Sequence, residues 1–113
     1  LEKSKNPILK LAAEIALTHH ERWNGKGYPK GLKGNEIPIS GQIVAIADSF
    51  DAIVSKRPYK DKRPFIEGFY EISKNSGILY NPELVEKFLK YKNEIIDLYD
   101  NFSKGRKNLI GSI

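Results

Sequence analysis

The stretch His19-His20-Glu21-Arg22-Trp23-Asn24-Gly25-Lys26-Gly27-Tyr28-Pro29 closes a helical pattern and opens a glycine-rich loop. Upstream of it, Ile8, Leu11, Ala12, Ile15 and Ala16 recur at helical spacing, with Asn6 as N-cap and Pro7 in the tolerated first position, so the spacing predicts a helix from about Pro7 to Glu21. His19 continues the apolar stripe, and His20 falls about 100° further round the helix. From Trp23 to Pro38 the periodicity stops. Gly25, Gly27, Gly31 and Gly34 fall there, in a compact functional loop or a lid whose turns ordinary residues resist.

Periodicity resumes from about Ser40 to Ser55, with Ile43, Ile46, Ala47, Phe50, Ile53 and Val54 on the expected buried side. Asp48 and Asp51 are three residues apart and are expected to share one face of that helix. Paired imidazoles followed by helical carboxylates are the ligand types that hold Fe, Mn, Zn or Ni, and paired metals are a common device for cleaving phosphodiesters. The expected chemistry is phosphoryl hydrolysis.

Composition sets the frame for that chemistry. A chain of 113 residues, 40% hydrophobic and 29% charged, fills one modest core, so one soluble domain is expected. No apolar run approaches the roughly 18 residues of a membrane-spanning helix, and no secretory signal opens the chain. The absence of cysteine excludes disulfides and thiolate metal sites and suits a cytoplasmic protein. Leu1 is not an initiator methionine, so a piece of a longer polypeptide is expected.

The net charge of +5 suggests an anionic partner, and its placement is more informative than its sum. Arg22, Lys26, Lys30 and Lys33 lie in or beside the loop, and Lys56, Arg57, Lys60, Lys62 and Arg63 form a second basic segment. Both flank the candidate metal ligands, where a phosphate would need cations. Lys104, Arg106 and Lys107 in the tail read as a solvated surface.

The remaining pieces complete an all-α chain of about five helices. Ile66, Phe69, Tyr70 and Ile72 suggest a third helix ended by Gly77. Asn81-Pro82 repeats the cap-plus-proline signature and starts a fourth, carrying Leu84, Val85, Phe88 and Leu89, and a short fifth is expected from Glu94 to Phe102. The expected organisation is a helical domain over residues 1–103 and a basic, frayed tail over 104–113.

The order HHERWNGKGYPKGLKGNEIP, IADSFDAI, RPYK, YNPELVEKFL, from about Asn6 to Leu89, closely resembles the HD-GYP family of HD metal-dependent phosphohydrolases, which hydrolyse cyclic di-GMP. The resemblance implies that His19, His20 and Asp48 are metal ligands and that Tyr28, Arg57 and Lys60 contact the cyclic dinucleotide. Glu21 and Asp51 would support them, Glu21 by stabilising the loop through a basic neighbour and Asp51 by orienting ligands or basic residues. Trp23 is expected to anchor the start of the loop. Asn24 stands where many relatives carry aspartate, keeping the turn-forming side chain without its charge.

In that family an upstream His-Asp pair and a further histidine also bind two or more metals, and this sequence has no histidine besides His19 and His20. The resemblance therefore implies a cyclic di-GMP phosphodiesterase for the parent protein, or one for a related cyclic dinucleotide, with little or no activity in this piece. An alternative is an interaction module whose GYP loop binds a diguanylate cyclase domain. A DNA or RNA binder driven by charge alone is the weakest reading, because no nucleic-acid fold is visible. Loss of covering helices is expected to expose Leu11, Ile15, Ile43 or Phe50 and to drive association into a homo-oligomer.

Overall fold

The computed structural model describes residues 6–55 and 62–111, with side chains described as far as residue 102. Five helices follow in order: α1 (Pro7–Thr18), α2 (Ile39–Val54), α3 (Arg63–Lys74), α4 (Pro82–Lys90) and α5 (Lys92–Gly111), with one 3₁₀ turn at Gly34–Glu36. Among the described residues there is no β-strand, only two isolated bridges, Asn24 with Lys33 and Ser76 with Tyr80. No helix among them is long and apolar enough to cross a membrane.

The expected caps are in place. The Asn6 side chain accepts from the amides of Ile8 and Leu9, and that of Asn81 accepts from Glu83, each just ahead of a proline in the first turn. The end of α1 differs from the expected Glu21. Helix α1 stops at Thr18 with His19 as its C-cap, because the His19 ring turns back onto the Ile15 carbonyl and the Glu21 amide bonds to Thr18.

The core lies where α2 crosses α3. Ile46, Phe50 and Val54 meet Phe65, Phe69 and Ile72, closed by Tyr80 and Val85. The Phe50 ring sits 4.7 Å from that of Phe69, 5.1 Å from Phe88 and 5.7 Å from Tyr99. Burial of such a ring contributes about 1.5–3 kcal/mol. Gly68 lets the helices close, since a Cβ there would fall 2.7 Å from the Phe50 ring.

Several expected core positions are corrected by this packing. On α1, Ile8, Leu11, Ala12 and Ala16 are exposed, Ile15 is half-buried, and Ala13 is the buried residue. On α2, Ile43 and Ala47 are exposed, and Phe50 is only 2% exposed, as its stripe predicts; of the four residues expected to be left uncovered, Leu11 and Ile43 are exposed and Phe50 is not. Periodicity identifies an apolar face but not what covers it, and α1 reaches α2 through Thr18 and Gly41, not through its widest stripe.

Helix α5 also runs further than expected, to Gly111. No proline interrupts the segment after Pro82, and Gly105, its one interior glycine, costs only about 1 kcal/mol, which an established helix can carry.

Candidate active site

The end of α1, the loop, the middle of α2 and the turn between α3 and α4 enclose a pocket of about 330 Å³. His19, His20, Glu21, Arg22 and Tyr28 line one side; Ala45, Asp48, Ser49 and Ala52 of α2 and Leu79 and Tyr80 of the turn line the other. Main-chain bonds fix the loop over it. The Trp23 amide donates to Leu79 and the Asn24 amide to Ile78, while the Gly34 amide returns to the Trp23 carbonyl. Half-buried Trp23 thus anchors the loop start, as expected.

His19 has its tautomer set by its surroundings. Its Nδ1 lies 2.8 Å from the Ile15 carbonyl, which can only accept, so Nδ1 donates there and Nε2 is the nitrogen turned toward α2. That Nε2 lies 4.0 Å from Oδ2 of Asp48. The separation is too long for a hydrogen bond. The His20 ring stands 3.9 Å from that of His19 and lies on Tyr28, centroid to centroid 5.0 Å and 18° from parallel. Donor chemistry and tautomer fit a divalent metal, although among the described residues no three His, Cys, Asp or Glu side chains gather closely enough to hold one alone.

Glu21 is buried, at 4% exposure. One carboxylate oxygen accepts from the Lys30 amide and the other from the Leu32 amide, both at 2.8 Å. It stabilises the loop as expected, but through main-chain amides where the sequence suggested a basic side chain. Gly27 lies against the same backbone, since a Cβ there would meet Arg22 N and His20 O at 2.5 Å. The Asn24 carboxamide accepts from the Lys26 amide, a turn that needs no charge.

Asp51 is placed apart from the histidines. Its Oδ1 accepts from the Tyr99 hydroxyl at 2.8 Å and from Ser55 at 3.2 Å, tying α2 to α5. Three residues separate Asp48 from Asp51, and the 300° turn between them is enough to send one to the pocket and the other to α5. Arg57 and Lys60 lie outside the described residues. Sequence reasoning set Arg22 among the loop cations beside the ligands, but did not place Ser49, Leu79 or Tyr80 on the pocket wall. The small residues Ala45, Ser49 and Ala52, spaced along the Asp48 side of α2, were a signal for an open wall; the turn residues carried none.

Comparison with known proteins follows this geometry. A family model described as HD domain matches residues 1–84. The chain is 66% identical over 99 residues to a cyclic di-GMP phosphodiesterase of Thermotoga maritima, covering 88% of this chain and 27% of that protein. It is 47% identical over 96 residues to 3'3'-cGAMP-specific phosphodiesterase 2 of Vibrio cholerae, covering 85% of this chain and 18% of that protein. The solved structure of a cyclic GMP-AMP specific phosphodiesterase of V. cholerae (V-cGAP3) superposes with a TM-score of 0.56 at 26% identity, over 78% of this chain and 21% of that one. The chain thus spans about a quarter or less of the length of these relatives.

Proposed function

The chain belongs to the HD domain family, in its HD-GYP branch, and from that premise we propose that its pocket is one wall of the active site of a metal-dependent phosphodiesterase acting on cyclic di-GMP or a related cyclic dinucleotide. The observation that carries this reading is Nε2 of His19 turned toward the Asp48 carboxylate at 4.0 Å, with His20 alongside.

His19, His20 and Asp48 would hold a divalent ion, Fe, Mn, Zn or Ni by donor type, together with further donors. The ion would supply Lewis-acid polarisation at the phosphodiester. The residues of this chain have separate tasks. His19 is oriented by the bond of its Nδ1 to the Ile15 carbonyl, which leaves Nε2 turned toward Asp48, and the His20–Tyr28 stack presents a flat face and a phenol to the bound nucleotide. Arg22 adds a cation to the pocket wall, and Arg57 and Lys60 are assigned to the phosphates by their positions in the R-P-Y-K segment.

The test is turnover of cyclic di-GMP by the full-length protein, with metal content measured on the same sample. Loss of both metal and turnover in His20→Ala supports the reading; full metal content with unchanged turnover overturns it. A second reading, the loop as a docking element for a diguanylate cyclase domain, is favoured by Tyr28, which is 59% exposed. It expects Tyr28→Ala to abolish capture of that domain while leaving nucleotide affinity unchanged.

A further inference from the structure

We propose that Glu21 is a positioning residue that holds the Tyr28 ring on His20 and so joins the nucleotide-facing loop to the metal-facing imidazole; its catalytic meaning rests on the reading of the pocket given above. The argument begins with what holds residues 28–32. Among the described residues, every hydrogen bond that reaches this segment ends on His20 or Glu21: the Tyr28 amide on the His20 carbonyl at 3.3 Å, and the Lys30 and Leu32 amides on the two Glu21 oxygens at 2.8 Å each. Two consecutive residues therefore hold both sides of the Tyr28-Pro29 step.

The main-chain bond to His20 is the longest of the three, and the two to the buried carboxylate have the length of charge-assisted bonds. Gly27 adds no side chain that could substitute for them, because its backbone lies directly against that of residues 20–22. Removing the carboxylate would leave the Lys30 and Leu32 amides without their acceptor and free the segment that carries Tyr28. A carboxylate suits the position because both partners are N–H donors. Glutamine offers one acceptor and turns its own N–H₂ toward the other donor.

Glu21 does not contact the reacting atoms in this scheme. It acts through Tyr28, so its effect on nucleotide binding vanishes where Tyr28 is already gone, whereas a general structural role adds to the loss of Tyr28. The sequence supplies a reporter that needs no ligand, because this chain has only two histidines, and the His20 ring resonances report the Tyr28 ring stacked on them.

The experiment compares wild type, Glu21→Gln, Tyr28→Ala and the double variant. In the histidine ring spectrum of this chain, Glu21→Gln is expected to move the His20 signals to the positions they take in Tyr28→Ala. Trypsin is expected to cut faster after Lys26 and Lys30 in the same variant. In the full-length protein, Glu21→Gln raises the Kd for cyclic di-GMP by up to about tenfold, no more than Tyr28→Ala does, and adds nothing on top of Tyr28→Ala. Unmoved His20 signals in folded Glu21→Gln overturn the proposal, as do losses of affinity that multiply.

If Glu21→Gln does not fold, Glu21→Asp serves. It keeps the charge but reaches one amide instead of two, so it should displace the His20 signals part of the way, and no displacement overturns the proposal. A wild-type protein that fails to bind cyclic di-GMP, while His20 responds as expected, leaves the positioning role standing and removes the nucleotide reading instead.

Discussion

Tyr28 and His20 are joined twice, ring on ring at 5.0 Å and 18° from parallel, and through the Tyr28 amide on the His20 carbonyl. The loop tip and the residues just past the end of α1 are therefore one local unit, although they lie eight positions apart in sequence. An imidazole pressed against a phenol ring has fewer rotamers open to it, which is a form of pre-organisation for whatever the imidazole binds.

The ring and the hydroxyl of Tyr28 should separate by substitution. Stacked aromatic pairs contribute about 0.5–1.5 kcal/mol beyond area burial, and phenylalanine preserves the stack. Tyr28→Phe is expected to change cyclic di-GMP affinity by about threefold or less, and Tyr28→Ala by about tenfold. Calorimetric titration of the full-length protein checks the ranking; equal losses from the two variants would assign the role to the hydroxyl.

Metal retention should depend on His19 and Asp48 more than on Asp51. Outer partners of metal ligands are typically worth about 10- to 100-fold in affinity, and a direct ligand at least as much. His19→Ala and Asp48→Asn are each expected to lower zinc or manganese affinity of the full-length protein by about 100-fold or more, and Asp51→Asn by no more than a few-fold, because its carboxylate serves Tyr99 and Ser55. Competition against a chromophoric chelator measures all three. A loss at Asp51→Asn equal to that at Asp48→Asn would place Asp51 among the ligands after all.

Local chemistry made part of this molecule legible in its sequence. Asn6-Pro7 and Asn81-Pro82 announce helix starts because a short polar acceptor and a residue lacking an N–H each answer a need confined to one turn. Ile46, Phe50 and Val54 were readable because α2 buries a stripe of regular period. The end of α1 was not, since it depends on the His19 ring returning to Ile15 and on Glu21 being drawn to amides nine and eleven residues away. Leu79 and Tyr80 reach the pocket only because Trp23 and Asn24 bond to the turn that carries them, a pairing across more than fifty residues that no period encodes. Glu21 was marked as a loop stabiliser, yet its partners are backbone groups, which carry no signature in a sequence.

The basic segment can be tested through binding alone. Arg57 and Lys60 lie outside the described residues, and their assignment comes from the R-P-Y-K segment. A lost charge-assisted phosphate contact costs about 1.5–3 kcal/mol, or about ten- to a hundredfold. Arg57→Ala is expected to weaken cyclic di-GMP binding more than Tyr28→Phe, with metal content unchanged. Parent-level affinity and turnover in Arg57→Ala would make it a surface cation.

The crossing of α2 and α3 allows a prediction in which the sign of an effect reverses. Phe50→Ala removes a ring that is only 2% exposed and should cost about 3–5 kcal/mol in urea unfolding. Gly68→Ala has two opposed effects. Replacing a helical glycine gains about 1 kcal/mol, whereas the new methyl would lie 2.7 and 2.9 Å from Phe50 ring carbons and 3.1 Å from a Val54 methyl. That ring is held by Phe69, Phe88 and Tyr99 and has little freedom to move, so overpacking of about 1–3 kcal/mol should outweigh the gain. In the Phe50→Ala background the two closest contacts are gone, Val54 has room to shift by the few tenths of an ångström needed, and the helix term remains. Gly68→Ala should then stabilise the protein by up to about 1 kcal/mol, giving a coupling between the two sites of about 1–3 kcal/mol. Additive losses in the double variant would mean that the two helices are not held at the separation that Gly68 and Phe50 define.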